Sequence, residues 1–210
     1  MFRVLGRSSA VWLAVGLSVT LMVTGAMVAG AAVTRKVHQQ GNGGRGPVIC
    51  RRDGQRTVKS GGVAYIIRND VIGPERECIR LEKRAVGFTV TKSQAYTLLS
   101  GNEAFPEVFY GCEWGVCTRG SVLPARVYRI THLVTSWSTS WRRVTGKFNV
   151  AYDIWFSRED LISGQPRGAE LMIWLGAKGF AQPSAKPVRV DGRPWWYAQF
   201  RQCDRFGCWN

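Results

Sequence analysis

Two stretches of the chain alternate between apolar and polar positions with a period of two. In Glu170-Leu-Met-Ile-Trp-Leu175, one face receives Leu171, Ile173 and Leu175, and the other Glu170, Met172 and Trp174. In Val150-Ala-Tyr-Asp-Ile-Trp-Phe156, alternation sends Val150, Tyr152, Ile154 and Phe156 one way and Ala151, Asp153 and Trp155 the other. Both read as strands with one core face. Further runs rich in β-branched and aromatic residues lie at Val63–Arg68, Ala85–Thr91, Val122–Leu133 and Pro194–Phe200, separated by Gly, Pro and Asn. No segment sustains a helical period for three turns, and neither internal repeats nor heptads occur. Many short strands of this kind predict an all-β sandwich.

The second face of each alternating strand carries the candidate chemistry. Each pairs one acid with one tryptophan on a surface too apolar to lie bare, yet its carboxylate needs partners if it is buried. The wall of a cleft meets both demands. Neighbouring acids shift one another's pKa, and indole faces stack on sugar rings or bases, so the combination points to carbohydrate. A lone strand glutamate is ordinarily solvated or salt-bridged; Glu170 stands apart because the Asp153 strand repeats its pattern independently. Trp137, Trp141, Trp195 and Trp196 read as core or cleft rim. His38 lies in a linker and His132 stands alone, which leaves serine–histidine or metal chemistry without support.

The chain has 210 residues, enough for one domain with a sizeable core. Its net charge is +15, and setting aside Arg3 and Arg7 with the leader leaves +13. The arginines are scattered rather than blocked, so the surface is basic and attractive to acidic wall polymers or a membrane surface; no nucleic-acid motif accompanies it. Ser8 to Thr34 contains no charge. Residues 1–33 therefore read as a secretory signal with Ala29-Gly30-Ala31 as a small-residue cleavage site, or as an uncleaved anchor, since the run exceeds the ~20 residues that span a bilayer. Residues 34–48 have linker composition, and 49–210 form the domain. Either way the domain is expected outside the cytoplasm.

Cys50, Cys78, Cys112, Cys117, Cys203 and Cys208 all follow the leader, an even set that reads as a disulfide framework. Local pairing of 112 with 117 and of 203 with 208 is the simplest arrangement and leaves Cys50 with Cys78. A four-thiolate zinc site from the two close pairs is the alternative. At the end of the chain, Trp195–Phe200 runs into the Cys203/Cys208 turn, after which two residues cannot supply a return strand. The chain therefore reads as a fragment of a longer domain.

These residues together resemble a known family. Glu170-Leu-Met-Ile-Trp-Leu and Tyr152-Asp-Ile-Trp-Phe resemble adjacent strands of glycoside hydrolase family 12, secreted endo-β-glucanases. The resemblance extends in order through Asn69, Gly73, Cys78, Phe105-Pro106, Val108-Phe109, Gly111-Cys112 to Cys117, and Leu123-Pro124. It implies a concanavalin-like jelly roll of two antiparallel sheets, incomplete at its C-terminus, and disulfides joining Cys50 to Cys78 and Cys112 to Cys117. It also implies retaining hydrolysis of a β-1,4-glucan by a monomer without metal or cofactor. Glu170 matches the nucleophile and Asp153 the aspartate that supports it. Asn69, Trp114, Trp155, Met172 and Trp174 match substrate-binding positions. Two departures stand out: Ile72 replaces a sugar-stacking tryptophan, and the family's acid/base glutamate belongs to a later strand than this chain reaches. The chain alone is thus expected to be inactive, and the other functional classes are a non-catalytic carbohydrate-binding jelly roll and a membrane-anchored basic surface protein.

Overall fold

A computed structural model describes residues 12–13, 17–20, 26–29, 46–72, 76–83, 85–94, 103–141, 144, 146–157, 168–179, 186–190, 192–197, 202–204 and 207–209. In chain order the strands are β1 (Trp12–Leu13), β2 (Leu17–Thr20), β3 (Ala26–Ala29), β4 (Val48–Ile49), β5 (Gly54–Ser60), β6 (Val63–Asn69), β7 (Val71–Ile72), β8 (Glu77–Leu81), β9 (Phe88–Ser93) and β10 (Glu103–Ala104). There follow β11 (Glu107–Phe109), β12 (Cys112–Glu113), β13 (Val116–Cys117), β14 (Ala125–Arg126), β15 (Trp137–Ser140), β16 (Phe148–Ser157), β17 (Gly168–Lys178), β18 (Lys186–Val190), β19 (Arg193–Tyr197), β20 (Gln202–Asp204) and β21 (Gly207–Trp209). The predicted all-β architecture is what the chain forms.

Two antiparallel sheets dominate. The larger runs β14-β1-β16-β2-β11-β6-β5, with β17 on β16, and the smaller runs β15-β3-β9-β8-β4. Ile67, Val108, Phe148, Val150 and Tyr152 from the first meet Ile49, Ile79, Leu81, Phe88 and Val90 from the second in one buried cluster. Alternation then fixes the rest. Arg68, Glu107 and Asp153 are each next in sequence to one of these core residues (Ile67, Val108 and Tyr152), so they leave the large sheet on its outward face. Parts of the predicted leader belong to the sheets: β2 pairs with β16 and β11, and β3 with β15 and β9. No helix among the described residues is long and apolar enough to cross a membrane.

Two local expectations change. The Val122–Leu133 run is a strand only at Ala125–Arg126, followed by a 3-10 turn at Val127–Arg129, and Val122 and Tyr128 are exposed. Its poor alternation offers no single face to bury, which is why β-branching alone misleads there. The strand at Trp195 finds its partner upstream rather than downstream: β19 pairs with β18 across a turn at Gly192, whose φ of +76° suits glycine. The turn expected around Cys203 and Cys208 is a hairpin of its own, β20 with β21, in which Cys203 lies directly opposite Cys208.

Candidate active site

The long hairpin of β16 and β17 places the two expected carboxylates. Trp155 lies opposite Glu170, Asp153 opposite Met172 and Ala151 opposite Trp174, with a bulge between Val150 and Ala151. Asp153 and Glu170 are thus diagonal neighbours on one face, a relationship that spaces Cα atoms by about 7–8 Å. The opposite face of β16 feeds the core through Val150 and Tyr152, and Ile154 and Phe156 pack around Leu123. On β17 only Ile173 packs against the core; Leu171 and Leu175, expected beside it, are 47% and 41% exposed. Among the described residues β17 pairs only with β16, and this edge position leaves its two outer leucines open.

Exposure is graded along the outward face. Asp153 is buried, Glu170 and Trp155 are half-buried, and Met172 and Trp174 are exposed. The Trp174 indole N–H donates to Met172 Sδ at 2.6 Å, tying these two side chains together, and Ala151 opposite leaves the indole room. An acid on the same face as a flat apolar platform is an arrangement suited to a sugar ring, whose anomeric carbon needs a carboxylate and whose ring face stacks on an indole.

The remaining expected residues divide. Trp114 occupies the tip of the hairpin β12–β13, whose base is the Cys112–Cys117 disulfide, and it is exposed. Asn69 is completely buried, and its side-chain N–H groups donate to the Arg51 and Glu77 carbonyl oxygens at 3.3 and 3.0 Å. These bonds brace the end of β6, where sequence reading expected a substrate contact. Cys50 is joined to Cys78. The side chains of Cys203, Cys208, Ile72 and Trp196, and residues 73–75 and 158–160, lie outside the described residues.

The family model for glycosyl hydrolase family 12 matches residues 77–204, which include β16, β17 and the Cys112–Cys117 hairpin. The chain belongs to glycosyl hydrolase family 12. Family 12 membership makes it a glycoside hydrolase with a polysaccharide substrate, and its two-sheet sandwich is consistent with the jelly roll of that family. No curated protein and no solved structure gives a match.

The family 12 sandwich also holds a charged group that pattern reading missed. Arg68 Nη2 lies 2.6 Å from Glu107 Oε1, 3.0 Å from Glu113 Oε1 and 3.7 Å from Asp70 Oδ2. Arg68 and Glu107 are buried. Burial pulls the guanidinium down, but Glu107, Glu113 and Asp70 outweigh it and hold Arg68 above its usual range. Glu107 is pushed well above the carboxylate range by its burial and by the Glu113 charge, against the pull of Arg68. Burial likewise lifts Asp70 to about 6, opposed by Arg68, and lifts Glu77 to about 8, opposed by a hydrogen bond with Ser93. The available signal was Arg68 itself, a charge closing the apolar run Ala64-Tyr-Ile-Ile67.

Proposed function

We propose that the chain is a retaining, endo-acting glycosidase of β-1,4-glucan in which Glu170 is the nucleophile. The observation that carries this reading is the register of β16 and β17, which lines up Trp155 with Glu170, Asp153 with Met172 and Ala151 with Trp174 on one open face. The Glu170 carboxylate attacks the anomeric carbon, the glycosidic bond breaks as its oxygen takes a proton from the second carboxyl group that retention requires and leaves as an alcohol, and a glycosyl-enzyme ester forms that water later hydrolyses with that group as base. Asp153 supports the orientation of Glu170, while Trp155, Met172 and Trp174 bind the sugar chain. Trp114 supplies a further platform. The enzyme acts outside the cytoplasm, where disulfides persist; Cys50–Cys78 and Cys112–Cys117 support this.

The test reads the ester directly. A dinitrophenyl 2-deoxy-2-fluoro-β-cellobioside has a leaving group that departs without protonation, so the first step proceeds without a general acid. Mass spectrometry is expected to find one glycosyl unit added, on the peptide containing Glu170, and none in Glu170→Gln. Addition at another residue would overturn the assignment. Tight binding of β-1,4-gluco-oligosaccharides with no covalent product would favour a carbohydrate-binding protein instead.

A further inference from the structure

Arg68 has more partners than its neutralisation requires. Glu107 lies directly opposite it on the adjacent strand and is in contact at 2.6 Å. That cross-strand contact alone gives the buried guanidinium a carboxyl partner. Glu113 comes from a different element, the Cys112–Cys117 hairpin, and reaches the same nitrogen at 3.0 Å. The guanidinium lies 5.5 Å from the centre of the Phe109 ring, a second contact on the outward side of β11. Arg68 therefore joins the outward face of the large sheet to the hairpin that follows β11.

The hairpin itself is internally stiff. Its base is closed by a disulfide, by the Thr118 N–H donating to Gly111 O at 2.8 Å, and by the Gly111 N–H donating to Thr118 Oγ1 at 2.9 Å. Glu113 pairs with Val116, so Trp114 and Gly115 form a two-residue turn, with φ of +47° and +81°. Asn, Asp and Gly adopt such angles readily, and a tryptophan there costs backbone energy. A bulky aromatic held at an unfavourable φ, and 42% exposed, marks a position kept for contact rather than for folding. A stiff hairpin has one remaining freedom, its tilt against the sheet, and the ion pair of Arg68 with Glu113 restrains that tilt.

Glu170, Met172 and Trp174 leave the same outward face as Arg68, because Ile67, Val108, Val150, Tyr152 and Ile173 all enter the one core. We propose that Arg68 is a positioning residue that, through Glu113, holds the Trp114 hairpin against the face carrying Glu170 and so sets affinity for the polysaccharide chain. This rests on the glycosidase reading above for the identity of the ligand, but not for the clamp.

Glu113→Leu is the informative variant, since it removes the charge that raises Glu107 and leaves Glu107 in contact with Arg68 at 2.6 Å. With 5-fluorotryptophan incorporated and its Trp114 signal assigned through Trp114→Phe, the ¹⁹F resonance of Trp114 is expected to shift or broaden in Glu113→Leu and to recover in Glu113→Gln, which keeps an acceptor for Arg68. An unchanged resonance would overturn the clamp. By calorimetry with cellohexaose, Glu113→Leu and Trp114→Ala are each expected to weaken binding roughly five- to tenfold, the scale of one lost aromatic contact. The double variant should bind no worse than Trp114→Ala, and additive losses would overturn action through Trp114. In Glu113→Leu the release of dinitrophenolate at saturating activated cellobioside should stay within about twofold of the parent, because the reacting carboxylate is untouched. A parent protein that binds no cellohexaose would remove the glucanase reading and leave the clamp to be decided by the fluorine signal.

Discussion

Asp153 and Glu170 sit diagonally across the β16–β17 pair, Asp153 facing Met172 and Glu170 facing Trp155. The first is buried and the second half-buried, and the proposed roles divide accordingly, Glu170 as the nucleophile and Asp153 as its support. Asp153→Asn preserves shape and removes the charge. The burst of dinitrophenolate from an activated cellobioside should slow by roughly 10²-fold, the cost of a reacting group displaced by about 1 Å, with oligosaccharide affinity unchanged. A burst of parental rate would remove Asp153 from the support of Glu170.

Trp141 and Trp174 are exposed to similar extents, 43% and 38%, but they contact different things. Trp141 packs edge-on against the buried Phe148 with ring centres 5.3 Å apart, whereas Trp174 bonds Met172 on the open face. Trp174→Ala is expected to weaken cellohexaose binding roughly five- to tenfold while leaving the melting temperature nearly unchanged. Trp141→Ala should do the reverse, costing roughly 1–2 kcal/mol of stability with binding intact. Calorimetric titration and thermal melts of both variants separate the two roles.

The strands with strict alternation were readable because period two reports directly which face is buried, as β16 demonstrates. β17 was readable as a strand but not in its burial: Leu171 and Leu175 match a core pattern, and only sheet order reveals that they lie on an edge. β5, β8 and β15 carry too many polar residues, or too few apolar ones, for a local window to mark them; they are strands because neighbours pair with them. The Arg68 cluster was hidden for a related reason. Arg68 is far in sequence from Glu107 and Glu113, and only register brings the three to one point. At Asn69 the motif pointed to a substrate contact, and register shows in addition amide N–H groups donating to two backbone carbonyls.

The two described disulfides should differ in what they protect. Cys50–Cys78 closes a separation of 28 residues and joins β8 to the turn after β4, so replacing both cysteines with alanine is expected to cost roughly 3–4 kcal/mol. Cys112–Cys117 closes a separation of only 5, and its removal should cost only about 2 kcal/mol. That second loss falls on the hairpin bearing Trp114, so cellohexaose affinity should drop with it, while the first pair leaves affinity in the folded protein unchanged. Denaturant melts beside calorimetric titrations check both halves.

Glu77 makes stability depend on pH in a direction opposite to the usual carboxylate. Burial raises it from 4.5 to about 8, against the Ser93 hydrogen bond and with added repulsion from Asp70. The folded state therefore keeps a proton that the unfolded chain has released once the pH exceeds its ordinary value of 4.5. Stability from this group is full below that pH and is lost as pH rises towards 8, at up to roughly 1.4 kcal/mol per pH unit. Asp70, raised to about 6, and Glu107, raised well above its ordinary range, act with the same sign. Melting temperatures should thus fall from pH 5 to pH 8. Glu77→Gln fixes the neutral form and leaves the Asn69 bond to the Glu77 backbone oxygen in place, so its fall above pH 6 should be shallower than the parent's. Parallel curves for the two proteins would mean that Glu77 is already ionised in the native state at neutral pH, its charge met within the Asn69 and Ser93 neighbourhood.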